Sequence, residues 1–475
     1  MKKVVKSIGK YFADFAISIA KGDIWVKLSL VIMGLGYFAR KQIVKGILIT
    51  LSQICFIILM EAYALPYLKD FGTLGTVQFE QIFDPLTMTA VVNDYDNSFL
   101  ILLNSIISLF VILVFALVYI HNVKAAYRLQ VAKKEGKHIN TFLEDVRSMW
   151  NEKFHITLLT LPTIGIVLMN ILPILVLIAV AFTNYDQNHM PPSALFTWTG
   201  FANFKTLFAG GATATFGYAF RKVLVWTLLW AFLATFTTYI GGILLAKFIN
   251  NKKTAFPKFW RTLFIIAIAV PQFVTLLLVR NFFGDNGIVN TICSNIGITD
   301  LLKNWGLVRS HLTYIPFLTD PVWAKVMIVL INIWVGVPYQ MLVATGVLMN
   351  IPEDQVESAR IDGANSIQIF LKITMPYMLF ITGPTLITDF VRNINNFNVI
   401  YLLTQDVYVT MDQALATSNA KEVDLLVTWL FRLTNEYYNY KMASVIGICV
   451  FVICAAFTLL TFTKTIKGDK EDQFR

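Results

Sequence analysis

Six stretches of this chain, 99–120, 158–182, 223–246, 262–279, 326–349 and 442–463, contain no Asp, Glu, Lys or Arg. About 20 apolar residues cross a hydrocarbon core of ~30 Å. Inside that core every backbone N–H and C=O has to be satisfied within the segment, which leaves the α-helix as the form these runs can take. Two weaker segments, 42–60 and 377–395, carry Lys45 and the pair Asp389 and Arg392. Each is needed to bring the chain back to the correct side between stronger neighbours. The expectation is an all-α polytopic membrane protein with eight transmembrane helices. A composition of 56% hydrophobic and 14% charged residues fits this class and is far from that of soluble domains.

Lysine and arginine accumulate in cytoplasmic loops. With the N-terminus inside, segments 1–45, 121–156, 247–261, 347–377 and 464–475 are cytoplasmic and hold 27 of the 39 basic residues. The first outer loop carries Asp70, Glu80, Asp84, Asp94 and Asp96 against Lys69 alone. Both termini are therefore expected in the cytoplasm. The net charge of +10 is a topology signal with some attraction to anionic lipid, and it does not argue for nucleic acid.

The chain divides into a basic amphipathic segment, 1–41, two spans with an outer loop, 42–120, a basic linker, 121–156, six further spans, 157–464, and a tail, 465–475. Catalytic signatures are missing. Gly9 and Gly136 precede lysines but lack the rest of a phosphate loop. His121, His138, His155, His189 and His311 are dispersed without metal-ligand spacing. Asp94-Tyr95-Asp96 imitates a metal-binding pair but reads as a solvated outer loop. Cys55, Cys293, Cys449 and Cys454 give no disulfide framework. No catalytic residue, metal site or cofactor of its own is expected.

Polar residues inside spans are costly and face a cavity or a partner helix. Asn332, Gly336, Tyr339 and Gln340 share one helix face, with Pro338 beside them. Thr385, Asp389, Asn393 and Asn396 repeat the pattern in the next span, with Arg392 adjacent. Two such stripes can line a hydrophilic path, the amides taking hydroxyls of a sugar while an aromatic ring supports its apolar face. The alternatives are hydrogen bonding between packed helices and, for Asp389 and Arg392, a pair with each other at i, i+3.

Between these spans lies the charged block 350–376, which reads as two short helices. Pro352, Glu353 and Asp354 suit a helix start, Gly363 a left-handed turn, and Pro376 the end of the second helix and the beginning of the next span. An acidic, exposed block on the cytoplasmic side suits a protein partner better than anionic lipid.

This block resembles the EAA loop of permease subunits of binding-protein-dependent ABC importers. The pattern falls on Glu357, Ser358, Ala359, Gly363, Ile373, Met375 and Pro376, with Asp362 fitting a common variant; Ser358 and Met375 depart from it. A narrower likeness is to the larger permease subunit of maltose and maltodextrin importers, carried by segments such as 182–186, 200–204, 285–290, 334–339 and 395–404. The resemblance implies six helices forming a type I ABC importer core. It further implies docking of Glu357, Ser358, Ala359, Asp362 and Gly363 on a cytoplasmic ATPase, and sugar contacts from Val335, Gly336, Tyr339, Asp389, Asn393 and Asn396. The implied partners are a second permease, two ATPase subunits that hold ATP and magnesium, and an extracellular sugar-binding lipoprotein. The short outer loop after the third span resembles Gram-positive members. Rival readings are an ion-coupled secondary sugar transporter and a membrane-embedded glycosyltransferase; the latter needs a cytoplasmic acidic metal site that the chain lacks.

Overall fold

The computed structural model describes residues 2–84, 89–209, 215–251 and 253–466, so the expected tail is outside the description beyond Ile466. Two compact units emerge, Met1–Gly200 and Phe201–Arg475.

In the first unit, α1 (Lys2–Lys21) leads to α2 (Ile43–Asp70), α3 (Ser98–Lys134), α4 (Phe142–Trp150) and α5 (Phe154–Val180). The amphipathic α1 packs on α3 through Phe15 and Ile19 around buried Val123 and Ala126, and Lys124 stands over the Tyr11 ring at 3.7 Å. The apolar stretch after α1, too short to span, forms the short helices Ile24–Leu28 and Leu35–Phe38, tied together by the Asp23–Arg40 ion pair at 2.9 Å. The loop between α2 and α3 carries an antiparallel pair, β1 (Gln81–Asp84) and β2 (Thr89–Val92), with Gln81 opposite Val92. The carboxylate of Asp96 accepts the backbone N–H groups of Thr76 and Val77 at 2.7 and 2.9 Å, which gives this acidic residue a structural role.

The second unit contains α6 (Thr215–Ile249), α7 (Pro257–Ala269), α8 (Gln272–Phe282), α9 (Pro321–Leu348) and α10 (Glu353–Ile361). There follow α11 (residues 366–394), α12 (Phe397–Thr404), α13 (Leu426–Asn435) and α14 (Tyr440–Ile466). Among the described residues, seven helices or helix runs are long and apolar enough to cross a membrane, including both weaker segments. The expected span 262–279 is not one continuous helix: the chain breaks there into α7 and α8. Val270 and Pro271 are extended, with ψ near 126° and 128°. A proline has no N–H and drives its predecessor out of the helical region, so an apolar run alone does not make one continuous helix.

Elsewhere prolines are absorbed without a break. Single π-helical turns at Met60–Ala64, Val167–Ile171 and Phe370–Thr374 each end two residues before a proline: Pro66, Pro173 and Pro376. The wider turn relieves the clash between the ring and the carbonyl four residues back. Pro376 therefore does not end a helix: α11 runs through it, so the expected second short helix and the following span are one element.

Helices α6 and α9 form the centre of this unit. Trp226 lies beside Lys325, Thr238 beside Gly336, and Gly242 beside Gln340, so the two helices run parallel with a nearly constant offset in sequence. A Cβ on Gly336 would stand 2.8 Å from the Thr238 methyl, and one on Gly242 would collide with Gln340 and lie 2.9 Å from the Met341 nitrogen. Small residues are what permit such an approach between membrane helices, where apolar burial supplies little drive because lipid is equally apolar. Below this crossing Tyr239, Ile243 and Ala246 meet Met341, Ala344 and Met378; above it Trp226 and Trp230 meet Ala324, Ile328, Val399 and Leu403.

Segment 405–425 covers the N-terminal end of α6. Its buried Glu422 accepts from the Tyr408 and Thr410 hydroxyls and from the N–H groups of Met411 and Asp412, at 2.5–3.0 Å. Burial alone would push this carboxyl up, yet the donors hold it below the ordinary range. Asp424, also buried, pairs with Arg432 at 2.6 Å.

Gly242→Val is expected to destabilise the α6–α9 crossing by about 1–3 kcal/mol, the usual cost of overpacking. Gly346→Val, in α9 with nothing within 4 Å of an added Cβ, is the control. Thermal unfolding of the purified protein in detergent checks the pair, and equal melting temperatures would refute the steric reading.

Candidate functional site

A cavity of about 470 Å³ opens where α6, α8, α9 and α11 come together. Val335, Gly336 and Tyr339 face it from α9, and Asn393 and Asn396 from the end of α11 and the turn after it. Five of the six residues expected to contact substrate thus line one cavity. The sixth, Asp389, is absent from the lining. It is 6% exposed, accepts from the Gln340 amide at 2.9 Å and pairs with Arg392 at 3.0 Å. The i, i+3 pairing foreseen as an alternative is therefore present, and it is Arg392, with 63% of its side chain exposed, that reaches the cavity.

The asparagines are held as well as exposed to the cavity. Asn393 donates to the Thr235 hydroxyl at 2.9 Å and accepts from the Asn396 amide at 3.3 Å, while its backbone carbonyl accepts from the Trp230 indole at 3.1 Å. Tyr239 and Thr382 share a hydroxyl bond at 2.7 Å further along the same helix pair. Hydrogen bonding between helices and lining of a cavity are therefore both realised. Contacts of this kind contribute about 0.6 kcal/mol each, up to ~1.7, to membrane helix association.

Gln272, Asn332 and Asn398 also line the cavity. Gln272 and Asn398 were not singled out from the sequence. Gln272 had a readable signal: it is a polar residue inside an otherwise apolar run, directly after Pro271. The break at Val270–Pro271 turns the start of α8 toward the cavity. A neighbouring cavity of about 420 Å³ shares Gln272, Val335 and Tyr339 and adds Trp334. Amides with flanking aromatic rings form a surface chemically suited to hydroxyl-rich ligands, and both volumes lie in the range of small-molecule sites.

The second constellation is α10. It has no buried residue, and Glu357, Ser358, Asp362 and Gly363 are exposed while Ala359 is half-buried. Pro352 stands just before the helix, at the cap position, and Glu353 and Asp354 occupy its first turn. Gly363 has φ +82°, and the Ala364 N–H donates to the Ala359 carbonyl at 2.9 Å. That left-handed residue stops α10, and Asn365 starts α11 with a capping box to Gln368. Ile361, Ile367 and Leu371 are 86%, 69% and 59% exposed around this corner. An apolar rim on a charged, solvated helix is chemically suited to a protein partner.

A family model for the binding-protein-dependent transport system inner membrane component matches residues 238–464, a range that includes both constellations. The chain is 33% identical over 438 residues to the maltodextrin transport system permease protein MdxF of Bacillus subtilis (strain 168), covering 92% of this chain and 94% of that protein. It is 32% identical over 443 residues to the galactooligosaccharides transport system permease protein GanP of the same organism, covering 93% and 97%. The fold is similar to the crystal structure of a bacterial ABC transporter involved in the import of the acidic polysaccharide alginate. That match has a TM-score of 0.51, 23% identity, and covers 69% of this chain and 99% of that one.

Asp389→Leu should destabilise the protein by leaving Gln340 and Arg392 without their acceptor. The double variant Asp389→Leu/Arg392→Met should recover part of the loss, with a coupling energy of about 0.5–3 kcal/mol. Thermal melts of both variants measure it, and additivity of the single effects would show that the pair is not a unit.

Proposed function

Because the chain belongs to the family of binding-protein-dependent transport system inner membrane components, we propose that its work as an ABC importer permease is the passage of malto-oligosaccharides. The observation that carries this reading is the amide-lined cavity flanked by Trp334 and Tyr339. The permease performs no chemistry: it is a transport subunit, and the family assignment leaves ion-coupled transport without support. Full-length similarity to a maltodextrin permease supports the glucose-polymer class, and the similarity to a galactooligosaccharide permease makes that sugar the natural competitor in a test.

In this reading Tyr339, half exposed, offers its ring to the apolar face of a sugar, with Val335 and Gly336 leaving room beside it. Asn396 and Arg392 present donors to the hydroxyls, Asn393 orients Asn396, and Asp389 holds Arg392. A second, homologous permease supplies the other half of the path. Two cytoplasmic ATPase subunits carry ATP and magnesium, and an extracellular lipoprotein delivers the sugar.

The ATPase dock is α10 with its corner: Glu357, Ser358 and Ala359 as the face, Asp362 and Gly363 as the turn that sets its angle. The sugar path is built from α9 and α11, the elements on either side of α10. Movement of the dock is thereby passed directly to both cavity walls. The six spans of 157–464 form the core, 42–120 an added pair, and both termini lie in the cytoplasm. The Bacillus relatives favour a Gram-positive plasma membrane.

Tyr339→Ala should lower maltodextrin uptake at least tenfold, about 1.4 kcal/mol, with complex assembly intact. Radiolabelled uptake into proteoliposomes checks this, and unchanged kinetics would remove the substrate assignment. Gly363→Asp should abolish sugar-stimulated ATP hydrolysis of the reconstituted complex, because an L-residue there is strained and adds charge at the docking corner. Hydrolysis at the wild-type rate would sink the dock.

A further inference from the structure

A groove of about 820 Å³ in the second unit shares no lining residue with the proposed sugar cavity and runs along the α6–α9 crossing. Its walls are apolar: Val225 and Leu229 on α6, and Val326 and Leu330 on α9, are all between 48% and 66% exposed. The face runs from Tyr218 to Leu233, a rise of about 22 Å along the helix, comparable with one leaflet of ~15 Å plus the interface. At the N-terminal ends of both helices the groove is closed by cations, Arg221 and Lys222 from α6 and Lys325 from α9. This is the end of α9 remote from the docking helix α10.

These cations are not equally committed. Lys222 is matched by Asp412 at 2.6 Å and by the Tyr218 hydroxyl at 3.2 Å. Neither Arg221 nor Lys325 has an ion-pair partner among the described residues. Arg221 donates to the Ala209 carbonyl at 3.3 Å, and the half-buried Lys325 ammonium lies 4.8 Å from the centre of the Trp226 ring. The carboxylate of the adjacent Asp320 caps α9, accepting the N–H groups of Val322 and Trp323 at 2.9 and 3.3 Å, and forms no ion pair with either cation among the described residues. Tyr218 and Trp226 stand at the same level, as aromatic residues do where acyl chains meet headgroups.

Two cations without an ion-pair partner among the described residues, at the mouth of an exposed apolar groove of leaflet length, describe an amphiphile with an anionic head. The geometry points to a binding site for an anionic phospholipid, its phosphate between Arg221 and Lys325 and an acyl chain along Val225, Leu229, Val326 and Leu330. The lipid fills the groove along the α6–α9 crossing, which shares no lining residue with the sugar cavity. It is independent of the identity of the transported sugar.

The test uses the full-length chain in its assembled transporter, in nanodiscs of equimolar phosphatidylglycerol and phosphatidylcholine, with retained lipid counted by native mass spectrometry. The wild type should retain phosphatidylglycerol in preference. Arg221→Gln/Lys325→Gln should reduce the preference about thirtyfold, the scale of ~1 kcal/mol for each of two cations near an anionic headgroup, while Arg221→Lys/Lys325→Arg keeps it. A photoreactive residue at Leu229 should form a phosphatidylglycerol adduct. Equal retention of the two lipids, an unchanged preference in the Gln variant, or a Leu229 cross-link to the second permease would each overturn the site. Should the Gln variant fail to assemble, the wild-type adduct decides: phosphatidylglycerol supports the site, and phosphatidylcholine or protein refutes it.

Discussion

The close parallel approach of α6 and α9 is the constraint on which the second unit depends. Inside a bilayer, burying an apolar side chain against another helix gains little over leaving it against lipid. Helices therefore adhere through close packing and a few polar contacts, and close packing requires that side chains be absent where backbones cross. Gly242 and Gly336 meet that requirement. The crossing they permit fixes α9 beside α6, and the bonds from Asn393 to Thr235 and from Tyr239 to Thr382 fix α11 against the same helix. One helix thus sets the spacing of both walls of the amide-lined cavity. Along the same crossing runs the groove with cations at its head.

Prolines distribute rigidity along this framework in two ways. At Pro66, Pro173 and Pro376 a single π turn upstream keeps the helix continuous. At Pro271 the chain instead breaks, and the polar Gln272 at the start of the new helix joins the cavity. The corner at Gly363 and the cavity residues Asn393 and Arg392 belong to, or directly adjoin, one continuous helix, α11, and in the proposed coupling a displacement at one end passes along it to the other.

Much of this was legible in the residues. Charge-free runs of about 20 residues announced the helices because lipid tolerates no unsatisfied backbone. The polar stripes announced the cavity because a bilayer penalises amides and carboxylates that lack a purpose. Gly363 announced the turn between α10 and α11 because a left-handed backbone favours glycine, and its φ is +82°. What misled was the uniform apolarity of 262–279: hydropathy sums side chains, whereas the break at Val270–Pro271 is a backbone effect. Asp389 lies on the stripe as expected, and there its carboxylate is engaged by the Gln340 amide and the Arg392 guanidinium.

The sequence by itself determined that the chain crosses the membrane many times as helices, which residues of two of those helices are polar, and where a charged corner interrupts them. These follow from local rules, the period of the helix and the solvation of single residues. Only the tertiary structure decided that α6 packs against both stripe-bearing helices, that Gln340 donates to Asp389, and that Arg221 and Lys325, 104 positions apart in the chain, close one groove. Those outcomes depend on distances between helices. Such distances are set by packing of residues remote in sequence, and no local period encodes them.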